Sequence, residues 1–415
     1  MIKRELLDEL IGHLDQKEIS LLVGPRQSGK TTLMFLLREI VKKNGKKSIY
    51  LNLDIEADKQ YFDSQEKLLQ KIKLDIGDSG YLFVDEIQRK EDAGIFLKGL
   101  FDMGLPYKWI VSGSGSVELK EKIHESLAGR KRLFELTTLS WSEFVNYKTN
   151  YRYETNLLDY FSLEPLKTQG LLEEYMSYGG YPRVVLENRI EEKRKIIAEL
   201  YQSYLIKDIV DLLGVQKTES FTSLVRIMAS QIGKMINIAE LSNTLGIHKA
   251  TINQYLWYME KTFFITKVTP FFNNIRKEIT KTPIYYFTDL GMRNYSLGIF
   301  GTPIPISDIG FLFQNYIYHI LKKITTNNSF QIHYWRTINK AEVDFIIDKV
   351  TETVPIEVKY QKLSKPNLTR SFLSYVSNYK PKKAYVIHLS KEIQIKEIET
   401  EVYLIPFFLL PYQQI

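Results

Sequence analysis

The stretch GPRQSGKTT, at 24–32, follows the short apolar run EISLLV (18–23) and precedes LMFLLREIVKK, whose apolar positions recur at helical spacing. The chain therefore has to fold here as buried strand, tight glycine turn and helix, in that order. Gly24, Gly29, Lys30 and Thr31 fit the spacing G-x-x-x-x-G-K-[ST], in which backbone N–H groups surround phosphate oxygens at the positive end of a helix. On this reading Gly24, Pro25, Arg26, Gln27, Ser28 and Gly29 form the cradle, with Thr32 beside it. Lys30 reaches the β and γ phosphates of ATP, and Thr31 ligates Mg2+.

The run SGYLFVDEIQR supplies a second half for such a site. Tyr81 to Val84 read as a buried strand whose end carries Asp85, expected to hold Mg2+, and Glu86, expected to act as general base on the attacking water. A strand ending in acidic residues is common in isolation; the phosphate loop upstream gives it weight. Three more strands are expected at 48–54, 108–116 and 132–140, alternating with helical stretches, which implies a parallel α/β sheet. The strand at 108–116 ends in small polar residues, among which Ser112 and Ser114 are candidates to sense the γ-phosphate, although serines also simply make turns.

With 415 residues the chain has room for about three domains, and a hydrophobic fraction of 44% fills ordinary cores. It has no cysteine, which excludes disulfides and thiolate metal sites. The opening segment MIKRELLDELIGHLDQKE reads as a charged amphipathic helix rather than a signal peptide, and no apolar run approaches the roughly 20 residues that span a bilayer. A cytoplasmic protein with no membrane partner is expected. A net charge of +7 suits a polyanionic partner such as DNA, and equally suits a mixed charged surface.

The segment HESLAGRKRLFELTTLSWSEF, at 124–144, resembles the corresponding part of a large group of predicted bacterial and archaeal AAA-type ATPases. The resemblance implies an arginine finger in this segment. Arg130 is the candidate and Arg132 its rival, with a surface ion pair the plain alternative. Such ATPases often complete their sites across subunits, so a homo-oligomer is expected. EEYMSYGGYPRVV, at 173–185, extends the resemblance: a GGYP turn follows the ATPase core in the same group, and its two glycines suit packing rather than chemistry.

Residues 236–262 have the form of a helix-turn-helix, with Gly246 at the turn and a second helix starting near His248, followed by a β-rich segment suggesting a hairpin wing. Lys249, Thr251, Asn253 and Gln254 could face a DNA groove, with Arg276 and Lys277 near phosphates. The apolar load of Tyr255, Leu256, Trp257 and Tyr258 also suits a purely structural module.

GIFGTPIPISD marks a boundary, after which an apolar helix (311–323) precedes two strands carrying Asp344 and the Glu357-x-Lys359 pair. Two carboxylates and a lysine in this arrangement form the D…E-x-K pattern of the restriction-endonuclease-like fold. Asp344 and Glu357 would bind Mg2+ and Lys359 would orient the attacking water, with Glu357 and Lys359 catalytic. Glu and Lys alternating on an amphipathic strand also arise from plain solubility. The carboxy-terminal stretches HYWRTINKAEVDFII and VPIEVKY resemble the domain of unknown function found in the same ATPases, where a glutamate usually precedes the helix asparagine. Here Gln314 precedes Asn315, which removes a charge from the cage.

The expected architecture is thus an α/β protein: a P-loop AAA-type parallel-sheet domain at 1–155, a helical segment plus winged-helix-like domain at 156–300, and a restriction-endonuclease-like domain at 301–415. Two functions fit. One is Mg2+-dependent ATP hydrolysis coupled to nucleic-acid binding or processing; the other is an ATP-dependent switch or scaffold whose nuclease-like domain is inactive and serves in docking.

Overall fold

The computed structural model describes residues 2–114, 125–205, 218–272, 282–390, 392–397, 399–413 and 415. Strands β1 (Ile19–Gly24), β2 (Ser48–Asn52), β3 (Gly80–Asp85), β4 (Tyr107–Ser114) and β5 (Lys131–Glu135) pair in parallel, in the order β2-β3-β4-β1-β5. Every residue of β1 is buried because helices cover both sheet faces. Leu21 and Val23 pack with Leu82, Leu97 and Trp109 on one side, while Leu22 meets Leu33, Met34 and Leu37 of the helix Lys30–Lys43 on the other. A strand buried on both faces reads as a near-continuous apolar run, as this one does. The order places β4 between β1 and β3, so the carboxy ends of these three strands converge on one edge.

All five expected strands form. The last one stops at Glu135 rather than running to 140, because the backbone beyond it is used elsewhere. The carbonyls of Thr137 and Thr138 accept from Arg4, and Leu139 N donates to Gly180 O. Ser140 then caps the helix Trp141–Lys148 in a reciprocal box with Glu143. Four further helices follow, Leu157–Leu163, Pro165–Tyr178, Pro182–Leu186 and Ile190–Ser203. The GGYP turn joins the second and third of these. Gly179 has φ 74°, and a Cβ there would lie 2.3 Å from Asp289 Oδ1. The turn is a seat for Asp289, which accepts from Gly180 N (2.8 Å) and caps the helix Leu290–Ser296 through Met292 N (2.9 Å).

Helices Thr218–Ser230, Ile238–Leu245 and Lys249–Lys261 precede an antiparallel pair, β6 (Ile265–Pro270) and β7 (Ile284–Phe287), and Met235 bridges Ile284. Asn237 caps the middle helix and Gly246, at φ 63°, ends it. On the third helix Lys249, Asn253 and Gln254 are exposed, whereas Tyr255, Leu256 and Met259 are buried. Arg276 and Lys277 lie outside the described residues. After Lys261 the chain turns through Phe263, a non-glycine residue at φ 61°. Phe264 N bonds Met259 O and Phe263 N bonds Glu260 O, the pattern in which glycine ordinarily fills the left-handed position. The Phe263 side chain is buried in the core of the amino-terminal sheet domain.

The rest of the chain is built on the helix Ile306–Asn328, β8 (Gln331–Arg336), β9 (Glu342–Asp348), β10 (Thr353–Val358), the helix Arg370–Tyr379, β11 (Lys383–His388), β12 (Ile393–Glu397) and β13 (Thr400–Pro406). Strands β8, β9 and β10 are antiparallel neighbours, and β11 joins β10 in parallel. The sheet order is β12-β13-β11-β10-β9-β8-β6-β7. One sheet thus runs from the helix-turn-helix segment to the carboxy-terminal strands across position 300. Trp141, just outside the first sheet, packs against Tyr316 and Phe407, joining the first and last parts of the chain. Among the described residues no helix is long and apolar enough to cross a membrane.

Burial pushes the Asp289 carboxyl up to about 6, against the pull of the N–H groups and Thr138 that donate to it. The folded chain therefore holds this proton more tightly than the unfolded chain, whose aspartate titrates near 4. That contribution to stability is complete below pH 4 and is lost as pH rises through 6. Urea unfolding is expected to show wild-type stability falling by about 2 kcal/mol relative to Asp289→Asn between pH 4 and pH 7.

Candidate functional site

The phosphate loop sits where β1 ends. Gly24 has φ 156°, and a Cβ there would lie 2.1 Å from the carbonyl oxygen of Leu136. Only glycine lets the loop pass so close to the segment after β5. The helix Lys30–Lys43 begins at Gly29, φ 100°, and no side chain caps its first turn. Its leading N–H groups are left to an anion, which the helix dipole favours. The buried Lys30 folds back over the loop, its Nζ donating to Pro25 O (2.8 Å) and Gly24 O (3.1 Å). These carbonyls hold the ammonium over the space that phosphate oxygens need.

Asp85 ends β3 with no solvent exposure. Its Oδ2 accepts from Thr31 Oγ1 (2.7 Å) and Tyr50 OH (2.8 Å), and its Oδ1 from Glu86 N (3.0 Å) and the Ser112 hydroxyl. A threonine hydroxyl and a carboxylate already in contact are hard oxygen donors of the kind Mg2+ takes, so the residues fit that ion. Glu86 adopts a left-handed backbone, φ 57°, which turns its side chain out of the strand toward Gln88. Burial, reinforced by the Asp85 charge, raises the Tyr50 phenol far above its ordinary value.

Two arginines that the motifs did not single out bear on the loop. Arg4 is buried, and its guanidinium donates to Ser28 O (2.7 Å) and Thr137 O (2.7 Å) while its Nε lies 3.1 Å from Glu143 Oε1. Arg183, from the helix after the GGYP turn, donates to Gln27 Oε1 (2.9 Å). Thr32 is exposed on the helix, while Ser28 is fully buried beneath the loop. Of the two serines on β4, Ser112 makes the contact with Asp85; the Ser114 side chain lies outside the described residues. Arg130 forms a two-pronged pair with Asp102 (2.7 and 3.2 Å), and its carbonyl accepts from Ile19 N at the start of β1. It is a full strand length, roughly 17 Å, from the loop and takes no part in this chain's own site.

In the carboxy-terminal sheet Asp344 on β9 and Glu357 on β10 converge, both half-buried. Gln314 Nε2 donates to Asp344 Oδ1 (2.8 Å) and Val358 N to Oδ2 (2.7 Å). Glu357 accepts from Thr369 Oγ1 (3.1 Å), and Lys359 Nζ donates to Asn367 O. Asn315 turns the other way: its amide pairs with both backbone groups of Phe287 on β7, at 2.8 and 2.9 Å. It anchors the helix that presents Gln314. Burial and the neighbouring Glu357 charge push the Asp344 carboxyl well up, and burial raises Glu357 despite Lys359 and Thr369. Among the described residues no group of three or more histidine or acidic side chains gathers as a metal cage. The donor set here is two carboxylates and an amide.

The AAA domain family matches residues 16–145, a domain of unknown function (DUF8612) residues 169–302, and a second (DUF4143) residues 309–409. The first of these spans the loop at 24–31, Asp85 and Ser112, and supports a P-loop ATPase domain. An uncharacterized protein from Haemophilus influenzae is 25% identical over 391 residues, covering 92% of each chain. Another from Methanocaldococcus jannaschii is 25% identical over 423 residues, covering 98% of this chain and 90% of its own. Among solved structures, the Aeropyrum pernix ORC1 protein in complex with DNA aligns over 72% of this chain and 92% of its own, at 12% identity and a TM-score of 0.32.

A cation at Asp344 and Glu357 needs both carboxyls ionised, and both hold their protons above the ordinary carboxylate range. Any Mn2+ binding that calorimetry detects at this pair is expected to strengthen as pH rises above that range and to be lost in Asp344→Asn.

Proposed function

We propose that this chain binds and hydrolyses ATP with Mg2+ at the loop of residues 24–31, and couples that cycle to action on nucleic acid through its middle and carboxy-terminal units. The observation that carries the first part is the convergence of Lys30, Thr31 and Asp85 beneath an uncapped helix start in an AAA-type domain. Lys30 exchanges the Gly24 and Pro25 carbonyls for phosphate oxygens. Thr31 and Asp85 would hold Mg2+, which neutralises charge on the phosphates. Glu86 takes the proton of the attacking water, and Ser112 keeps Asp85 in place from the strand between.

Nucleic acid is supported by two features. Three helices followed by an antiparallel strand pair, with the polar residues Lys249, Asn253 and Gln254 exposed on the third helix, support the winged-helix reading. Beyond it, the order helix, three antiparallel strands, helix and parallel strand, with acidic residues on β9 and β10, supports the restriction-endonuclease-like reading. In that reading Glu357 and Lys359 are catalytic and Asp344 and Glu357 take the metal. The second reading, a nucleotide-driven docking unit that cuts nothing, is favoured by Gln314, whose amide N–H occupies Asp344 Oδ1.

ATP turnover measured with Lys30→Ala is expected to fall at least about 100-fold, and Glu86→Gln is expected to bind ATP but fail to turn it over. Wild-type rates in Lys30→Ala sink the proposal. Cleavage of branched and single-stranded DNA with Mg2+ or Mn2+, compared with Glu357→Ala, separates the two readings: equal, background cutting leaves docking. Gln314→Glu restores a third charge and is expected to raise divalent-ion affinity at this site.

A further inference from the structure

A carboxylate offers about four lone-pair positions, and Asp85, cut off from solvent, has all four filled. Three of the donors are fixed by the architecture. Thr31 stands at the start of the loop helix, the Glu86 N–H follows in the chain, and Ser112 is buried on the adjoining β4. The fourth, Tyr50, comes from β2 at the sheet edge and reaches Asp85 Oδ2 from a half-exposed ring. That ring lies against Phe35, centroids 4.6 Å apart, with the Arg38 guanidinium 6.0 Å from its centre. Phe35 and Arg38 belong to the helix that Lys30 begins, so the Tyr50 hydroxyl is aimed by the same element that presents the phosphate site.

We infer that Tyr50 is a gate on the metal side of the phosphate site, its hydroxyl occupying the Asp85 lone pair that a hydrated divalent cation has to take. The inference rests on the ATP reading above. Thr31 keeps its bond to Asp85 while its own lone pairs face the cation, so it needs no displacement. Tyr50 must yield. Removing its hydroxyl frees one acceptor position and also leaves more negative charge on Oδ2, and both effects act in the same direction. Tyr50 therefore weakens the hold on Mg2+ that the loop would otherwise have. It is a positioning residue, acting through Asp85.

The test titrates Mg2+ into the full-length protein with a fluorescent ATP analogue, beside an arm held in EDTA. Tyr50→Phe keeps the ring on Phe35, and its nucleotide affinity in EDTA is expected to match wild type while the Mg2+ midpoint falls about tenfold. Phe35→Ala, at an exposed position, keeps the hydroxyl but frees the ring; a smaller shift of the same sign is expected. An unchanged or raised midpoint overturns the inference, as does an equal change in both arms, which marks a structural role. Lys30→Ala is expected to lose binding in both arms. If it binds like wild type, the ATP reading itself falls, and that outcome is distinct from a Tyr50 midpoint that fails to move.

Discussion

Asp85 is a charge with no solvent around it, and burying one is tolerable only when every lone pair finds a donor. Its four donors come from β2, β4, the loop helix and the turn that follows β3. Each therefore has to stand in register before the site exists. The strand order meets this need by setting β4 between β1 and β3 and β2 beside β3. The same packing that covers the sheet thus fixes the chemistry at its carboxy edge.

The units beyond the first sheet are attached by polar side chains that pair with backbone. Arg4 holds the carbonyls of Ser28 and Thr137, Asp289 seats the GGYP turn, and Asn315 pairs with both groups of Phe287. Such bonds are directional, and losing one partner leaves a buried group unsatisfied. Apolar contacts around Trp141 add area but would tolerate sliding; these three residues do not. The loop at 24–31 is consequently tied through Arg4 and Glu143 to the helix that leaves the domain. The ion pair Lys322–Glu135 adds a link from the helix carrying Gln314.

What could be read from residues alone was the local part. The loop, its helix and the acidic strand end are each encoded within a few consecutive positions, and all five expected strands form, the fifth stopping at Glu135. Arg130 shows the limit: its neighbours in sequence suggest a finger acting on another subunit's site, and nothing local says that its backbone lies beside Ile19, at the end of the sheet away from this chain's own Lys30. Tyr50 and Arg4 carry no motif because their partners are 35 and 24 residues away in the chain. Ser112 and Ser114 are alike in sequence and share a strand face, so no local pattern says that Ser112 is the one that meets Asp85. The segment GIFGTPIPISD suggests a boundary near 300, and the pairing of β6 with β8 across it is a long-range event that no local signal announces.

Phe263 occupies a left-handed position that glycine would take at little cost and that other residues take at about 1 kcal/mol. Its ring lies not in its own unit but among the side chains of the first sheet. The turn is thus conditional: its geometry is favourable only while the neighbouring domain receives the ring. The third helix and the sheet it feeds are therefore pinned to the core of the first sheet by one aromatic side chain, much as a key is held only by its own lock.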